Sequence, residues 1–458
     1  MSRSGSGLPP GLVLSWYGDD FTGSAAVMEV LTSAGLPAVL FLEPPTAERL
    51  AKFADYRACG IAGTARSRSP QWMEDNLPAI FRALARLGAP LVHYKVCSTF
   101  DSSPAVGSIG KAVDLAASIF VPDWIPMVVG APELSRYQAF GNLFASVDGI
   151  GYRLDRHPTM SRHPATPMDE ADVRLHLARQ TERAIGLIDV AVMKSGRARD
   201  VLARERANGC EIVALDVVDD ETLEACGRLI WEERSGIRFA VGSQGVEYAL
   251  VAHWRAEGLI DDPVAQPPAG VAERMAVVSG SCSPETARQI RQAGDRGFEP
   301  IRVDATRAVD PRAWQAEIER SVAAAHKALG EGRDPILYTA LGPDDPAVAA
   351  FRTVVDGRNR DLVNERVGAG LGIMLDRVLR TARLDRCIIA GGDTSGHGAL
   401  ALGLYALTAI ACTTPGASLA KAHCEDPAYA NLEIALKGGQ MGSPDYFWEI
   451  KQGGRRAA

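Results

Sequence analysis

The chain has 458 residues, 47% of them apolar and 23% charged, which is enough for a sizeable core and long enough for two domains. Its 49 basic and 56 acidic side chains leave a formal charge of −7, which speaks against a broad nucleic-acid-binding surface but leaves room for a local anion pocket. The eight cysteines form no CxxC pair, so neither a zinc knuckle nor a thioredoxin-like redox site is indicated, and reduced thiols in a cytoplasmic protein are expected.

The first ten residues are polar and rich in Gly, Ser and Pro, without the apolar core of a secretory signal. Residues 12–17 predict a buried strand, Gly18-Asp-Asp-Phe-Thr-Gly23 a tight loop, 24–33 a helix and 36–42 a second strand. The pattern recurs, with strands at 92–97 and 127–130 and a helix at 105–116. Residues 169–185 read as helical after the Pro-rich 163–167. Short apolar runs at 211–215 and 238–242 are each followed by a helical pattern. Residues 259–270 are polar and Pro-rich. They suggest an N-terminal domain over 1–258, a linker over 259–273 and a C-terminal domain over 274–458. Beyond the linker, strands are expected at 275–278, 300–303, 336–339 and 386–390, and helices at 284–293, 367–384 and 396–410. The apolar stretch 399–412 is too short for a membrane span and reads as buried helix. The last conspicuous segment is 434–447. The fold class is α/β: two α/β domains with mainly parallel sheets and an active-site cleft between them.

Several segments carry chemistry. Asp19 and Asp20 sit where the first strand hands over to a helix, where ligands gather in open α/β sheets. They would orient hydroxyls or accept a proton; the plainer reading is that Asp20 or Thr22 caps the helix. Lys95 lies inside an otherwise apolar strand, and a buried lysine needs an anion partner. Ser98, Thr99, Asp101 and Ser102 follow it with many hydrogen-bonding groups; an edge-strand lysine beside an ordinary cap is the alternative. Arg156, His157, Arg162 and His163 share a stiff, Pro-rich loop that suits a carboxylate or phosphate, or a rigid surface connection. No spacing there indicates a metal site.

In the second half, Ser279-Gly-Ser-Cys-Ser283 follows a strand, with Ser283 as cap and Pro284 in the first turn of a helix. Ser279 and Ser281 would meet phosphate oxygens at such a junction. Gly242-Ser-Gln-Gly245 is a similar but plainer turn. Cys282 reads as a small packing residue. Gly391-Gly-Asp-Thr-Ser-Gly396 is the strongest local signal, because glycines let backbone approach phosphate closely. Asp393 would meet Mg²⁺ or ribose, or orient the loop. Neither GxGxxG nor GxxxxGK[ST] occurs here. Lys437-Gly-Gly-Gln-Met-Gly442 is a second glycine-rich turn, whose lysine would balance phosphate charge or merely accompany a chain reversal.

Six motifs in order, Gly18–Gly23, Tyr94–Asp101, His163–Met168, Val278–Ser283, Gly391–Gly396 and Lys437–Gly442, resemble the four-carbon acid sugar kinase family over residues 12–448. That family includes threonate, erythronate, 3-oxo-tetronate and 3-oxo-isoapionate kinases. Asp393 stands where many 3-oxo-tetronate members carry Glu. The resemblance implies an N-terminal domain for the sugar acid and a C-terminal domain for ATP with Mg²⁺. Nucleotide contacts would fall on Ser281, Gly391, Gly392, Asp393, Thr394 and Gly439, within turns that also contain Ser279, Gly396 and Gly442. Asp20 and Lys95 would face the acid.

On that reading Asp20 orients or deprotonates the acceptor hydroxyl, with Asp19 as the other choice. Lys95 and one of Arg66, Arg156 or Arg162 would neutralise carboxylate or phosphoryl charge, and Ser98, Asp101 and His163 would line the same site. A small sugar acid is the expected partner, with no nucleic acid, no membrane and a possible homo-oligomer. A nicotinamide-linked oxidoreductase and a non-catalytic sugar-acid sensor are the competing classes.

Overall fold

The computed structural model describes residues 7–147, 149–163, 165–234, 238–262, 268–414 and 416–454, apart from the side chains of 361, 393 and 412–414. The chain divides into two compact units, one of Met1–Val39 and Pro44–Val264, the other of Leu40–Glu43 and Ala265–Ala458.

The first unit contains β1 (Leu14–Gly18), the first half of β2 (Ala38–Phe41), whose Leu40 and Phe41 belong to the second unit, β3 (Ala58–Ala62), β4 (Leu91–Lys95) and β5 (Ile125–Val128). An antiparallel ribbon follows, of β6 (Arg136–Ala139), β7 (Asn142–Val147) and β8 (Ile150–Arg153). Then come β9 (Ile185–Ile188), β10 (Ile212–Leu215) and β11 (Arg238–Gly242). The main sheet runs β3-β1-β4-β11-β5-β10-β9 with every pair parallel, and β2 lies beside β3. A parallel sheet is covered on both faces, so its strands are apolar throughout; β1, β3, β4, β5, β10 and β11 are buried at every position. Phe81, on the helix Pro70–Leu87, meets the rings of Tyr17, Tyr94, Phe120 and Phe239 edge-on.

The second unit contains β12 (Ala276–Ser279), β13 (Phe298–Arg302), β14 (Asp334–Tyr338), β15 (Arg386–Ala390), β16 (Leu404–Thr414), β17 (Ala417–Cys424) and β18 (Glu433–Lys437). The order is β13-β14-β12-β15-β18-β17-β16. The first five strands are parallel, and β17 and β16 run antiparallel.

Two helix expectations fail. Residues 396–410 do not form one helix: the helix Gly392–Ala401 ends and β16 begins. Gly403, at φ 68, turns the chain there, and the apolar run beyond it is taken up by pairing with β17. The run 399–412 is therefore split between a helix and a strand. Residues 169–185 hold only the short helix Val173–Leu177, capped by Asp172. No helix among the described residues is long and apolar enough to cross a membrane.

Phe81→Ala should lower the stability of the first unit by about 3–5 kcal/mol, because it leaves a cavity among four rings. Denaturant unfolding reads this directly, and a loss below about 1 kcal/mol would contradict the packing described.

Candidate functional site

Register places the first set of groups. Gly18 pairs with Ala62 on one side and Lys95 on the other, and Gly242 pairs with both Lys95 and Val128. Five carboxyl ends therefore stand in line, and the loops that follow them share one edge. Asp19 and Asp20 follow β1. Asp20 caps the helix Phe21–Ser33, accepting from Gly23 N at 2.8 Å and from Thr22 Oγ1 at 2.7 Å. The plain capping reading is thus true, but it is not the whole role. Arg66, from the loop after β3, also donates to Asp20 at 2.9 and 3.0 Å and to Asp19 at 2.7 and 3.3 Å.

Solvent reaches the two carboxylates unequally, with side-chain exposure of 2% for Asp19 and 11% for Asp20. Burial holds the Asp19 carboxyl above its usual value, although Arg66 opposes it. Burial also acts to raise Asp20, but Arg66, Lys95, Thr22 and Gly23 together carry it below the usual value.

Lys95 is 2% exposed, and β4 lies between β1 and β11, so the edge-strand reading is excluded. Its ammonium donates to Val96 O at 2.7 Å and has no ion pair within 4.0 Å among the described residues. A Cβ on Gly23 would lie 2.7 Å from Nζ, which puts the ammonium at the start of the Phe21–Ser33 helix. Helix N–H groups and an ammonium that acts on Asp20 without closing an ion pair together favour an anion.

The loop after β4 is locked by Phe100, at φ 58 with its ring fully buried. Asp101 accepts from Thr99 Oγ1 at 2.6 Å, and Ser98 is half-buried beside them. Ser102 bonds His176 and Gln180, both at 2.9 Å, which ties this loop to the segment around Val173–Leu177.

The 156–168 loop holds its charged groups loosely. Arg156 is 77% exposed and pairs with Asp155, and Arg162 is exposed, so neither is fixed by buried contacts. Arg153 occupies the other side of Asp155, which holds Arg156 outward. His163 Nδ1 is engaged by Thr166 at 2.9 Å within its own turn. The buried member is His157, whose Nδ1 accepts from Thr159 N and Met160 N. Sequence reasoning passed over Arg136, which begins β6 after the β5 loop; an arginine within a few residues of a strand's carboxyl end was the available signal.

The second unit repeats the device. Ser279, Ala390 and Lys437 stand side by side in the β12-β15-β18 register, about 5 Å from strand to strand. Three turns therefore leave the sheet together. Ser283 caps the helix Pro284–Gly294 and donates to Gly439 O, which also accepts from Thr286 Oγ1 at 2.9 Å. Gly391 holds φ 118, open to glycine alone, and starts the helix Gly392–Ala401. A Cβ on Gly439 would come within 2.8 Å of Ser281 Oγ. Ser279, Ser281, Thr394 and Gly396 are buried in this cluster. Peptide N–H groups at two helix starts and a turn that tolerates no side chain make a fitting cradle for polyphosphate.

Gly442 has a packing reason for being glycine, since a Cβ there would lie 2.9 Å from the Tyr446 ring. The Asp393 side chain lies outside the described residues. Cys282 is exposed and not a packing residue, because the turn directs it away from the Ser279–Ser283 contacts. Among the described residues no three His, Cys, Asp or Glu could hold a metal ion by themselves.

One unit with a charged edge suited to a hydroxylated anion, and another with a polyphosphate cradle, are the parts of a small-molecule phosphotransferase. Residues 14–250 match the model of a sugar-binding N-terminal domain and residues 276–447 that of a nucleotide-binding C-terminal domain. A 3-oxo-isoapionate kinase of Paraburkholderia graminis is 51% identical over 97% of this chain and 95% of its own length. A 3-oxo-tetronate kinase of Methylobacterium radiotolerans is 31% identical over 95% of this chain and 98% of its own. Two solved structures show the same fold at 23% identity, each covering 96% of this chain and 99% of its own. They are a Salmonella typhimurium LT2 protein with a TM-score of 0.75 and Haemophilus influenzae protein HI1011 with 0.67. The chain belongs to the four-carbon acid sugar kinase family, whose members join a sugar-binding domain to a nucleotide-binding one.

Lys437 gives this cradle a pH signature. Its Nζ is fully buried and donates to Thr286 Oγ1 at 3.0 Å, Gly438 O at 2.9 Å and Gly439 O at 3.3 Å. Burial nevertheless pulls the ammonium from 10.5 down to about 7, against the pull of Glu285. Between those two values the unfolded chain keeps a proton that the folded chain has released. The lysine's contribution to stability should therefore rise with pH across that window, by on the order of 1 kcal/mol per unit, and stay flat below it. Urea unfolding of wild type and Lys437→Met from pH 6 to 10 measures this as a difference. A difference that does not change with pH would refute it.

Proposed function

We propose that the protein transfers the γ-phosphate of ATP to a hydroxyl of 3-oxo-isoapionate or a closely related sugar acid. The 51% identity to a 3-oxo-isoapionate kinase over nearly the whole length carries the choice of acid. The acid is held at the first unit's edge, where Asp20 accepts a hydrogen bond from the acceptor hydroxyl and Lys95 supplies positive charge. Asp20 is the better placed of the two carboxylates, because it is the one solvent reaches. Its low affinity for protons suits alignment of the hydroxyl more than full proton abstraction, and a loose phosphoryl transfer asks for little more. Asp19 and Arg66 hold it in place, and Ser98 and Asp101 border the acid.

Ser281, Gly391, Gly392, Thr394 and Gly439 are the residues we assign to the nucleotide, with Ser279 and Gly396 supporting their turns. Mg²⁺ would arrive on the ATP phosphates and offset their charge, holding most of its water shell, so a protein cage of three ligands is not required. Most of the rate would come from alignment and fixed charge.

Two substitutions separate the halves. Asn caps a helix as well as Asp does, so Asp20→Asn should fold and bind ATP normally yet lower turnover about 10²-fold. Gly439→Ala should weaken ATP binding about tenfold or more while leaving affinity for the acid unchanged. A coupled ATP-consumption assay, with mass detection of a product one phosphate heavier, checks the first, and calorimetry checks the second. Full turnover in Asp20→Asn on the true acid would remove Asp20 from the mechanism.

A further inference from the structure

Beyond the point charge of Lys95, the acid's carboxylate suits a guanidinium, and the arginines expected at the first unit's edge do not supply a free one. Arg66 is occupied by two carboxylates. Arg156 faces solvent, and Arg162 is exposed. Arg136 differs from all three. Its Nη1 donates to Leu134 O at 3.0 Å and Ser135 O at 3.2 Å, which fixes the head of the side chain. Its Nε is buried with no hydrogen-bond partner, and no carboxylate lies within 4.0 Å of the guanidinium among the described residues. A guanidinium held rigidly, partly desolvated and with Asp101 acting on it only from beyond ion-pair distance is costly unless an anion arrives with the ligand.

The backbone carries Arg136 to the same edge as Lys95. Gly242 O accepts from Val96 N at 2.7 Å, so the β11 end is tied to the β4 end. Ser243 N then donates to Val128 O at 2.9 Å, and Ser243 Oγ to Val129 O at 2.8 Å. A Cβ on Gly245 would lie 2.1 Å from Gly130 O, so the 242–245 turn rests directly on the β5 end. Ala131 pairs with Arg136 as an isolated bridge, which folds β6 back over that end. Ser135, at φ 55, makes the reversal. The 242–245 turn, plain in sequence, is thus the link between the backbone at Lys95 and the backbone at Arg136.

His157 completes the group. Its Nδ1 is taken by two backbone N–H donors, so the ring proton sits on Nε2, which has no hydrogen-bond partner among the described residues. Arg136 and Asp101 both act electrostatically on His157, and Cys97 and Asp101 act on Arg136, which places these groups in one neighbourhood.

We propose that Arg136 receives the carboxylate of the sugar acid, with His157 Nε2–H as a second donor, and so makes the enzyme select acids over neutral sugars. This rests on the sugar-acid kinase reading. The shared chemistry is an oxyanion, and its other source would be the γ-phosphate of ATP. A planar guanidinium suits a carboxylate, which it can grip with two parallel N–H donors.

Equilibrium calorimetry tests this without turnover. The probes are 3-oxo-isoapionate, its carboxamide and a non-hydrolysable ATP analogue, against wild type, Arg136→Met and Arg136→Lys, with melting curves to confirm folding. Arg136→Met should weaken acid binding about 10²-fold, leave carboxamide binding within twofold, and so abolish the preference for the acid. Arg136→Lys should restore part of that preference, and binding of the ATP analogue should not change. A preference for the acid that survives in folded Arg136→Met would overturn the proposal. So would a loss confined to the ATP analogue, which would identify the γ-phosphate as the anion. If wild type binds the acid through Arg136 but transfers no phosphate to it, the carboxylate assignment stands and the kinase reading falls.

Discussion

Parallel strands that end in register bring distant loops to one place. In the first unit Gly18, Ala62, Lys95, Gly242 and Val128 are register partners in succession, although they span more than two hundred positions of sequence. In the second, Ser279, Ala390 and Lys437 do the same. Each strand stops where the chain must find new partners for its backbone, and helices begin there with unpaired N–H groups. Everything chemical in this protein is built on those two lines.

Charge then makes the two lines different. The first edge gathers three cations, Arg66, Lys95 and Arg136, and three carboxylates, Asp19, Asp20 and Asp101. Arg66 neutralises the two adjacent aspartates and keeps them together despite their mutual repulsion. Lys95 and Arg136 are left without ion pairs among the described residues, and that is where we propose a hydroxylated acid finds its complement. The second edge has little formal charge near its turns. It offers peptide N–H groups, small hydroxyls and one deeply buried lysine, which suit the evenly spread charge of a polyphosphate. One fold thus provides two kinds of anion site, by fixed side-chain charge in the first and by backbone dipoles in the second.

The strand ends were largely visible in sequence, because short apolar runs bounded by Gly, Ser and Asp are what doubly covered parallel strands require. β11 and β15 stand at the residues their apolar runs indicated. Residues 404–414 were harder. Their apolar run continues that of the preceding helix, and sheet pairing with β17 and β2 makes them a strand. The ribbon β6–β8 was missed for a similar reason: Arg136, Gln138, Asn142 and Ser146 interrupt the apolar pattern, and its short strands form by pairing with each other. Side-chain direction was not legible at all. Arg156 and Arg162 sit in the more suggestive motif, yet both face solvent, while Arg136 follows an ordinary strand and turn and lies half-buried. Spacing along the chain does not report which arginine a carboxylate such as Asp155 has already drawn outward.

The most direct test is a crystal structure with a non-hydrolysable ATP analogue and the sugar acid bound. The account predicts phosphate oxygens within hydrogen-bond distance of backbone N–H groups at 281, 392 and 439 and packed against Gly391, whose own N–H is held by Lys437 O, with the acid's hydroxyl on Asp20. Phosphates bound elsewhere, with those three turns closed upon one another, would contradict it.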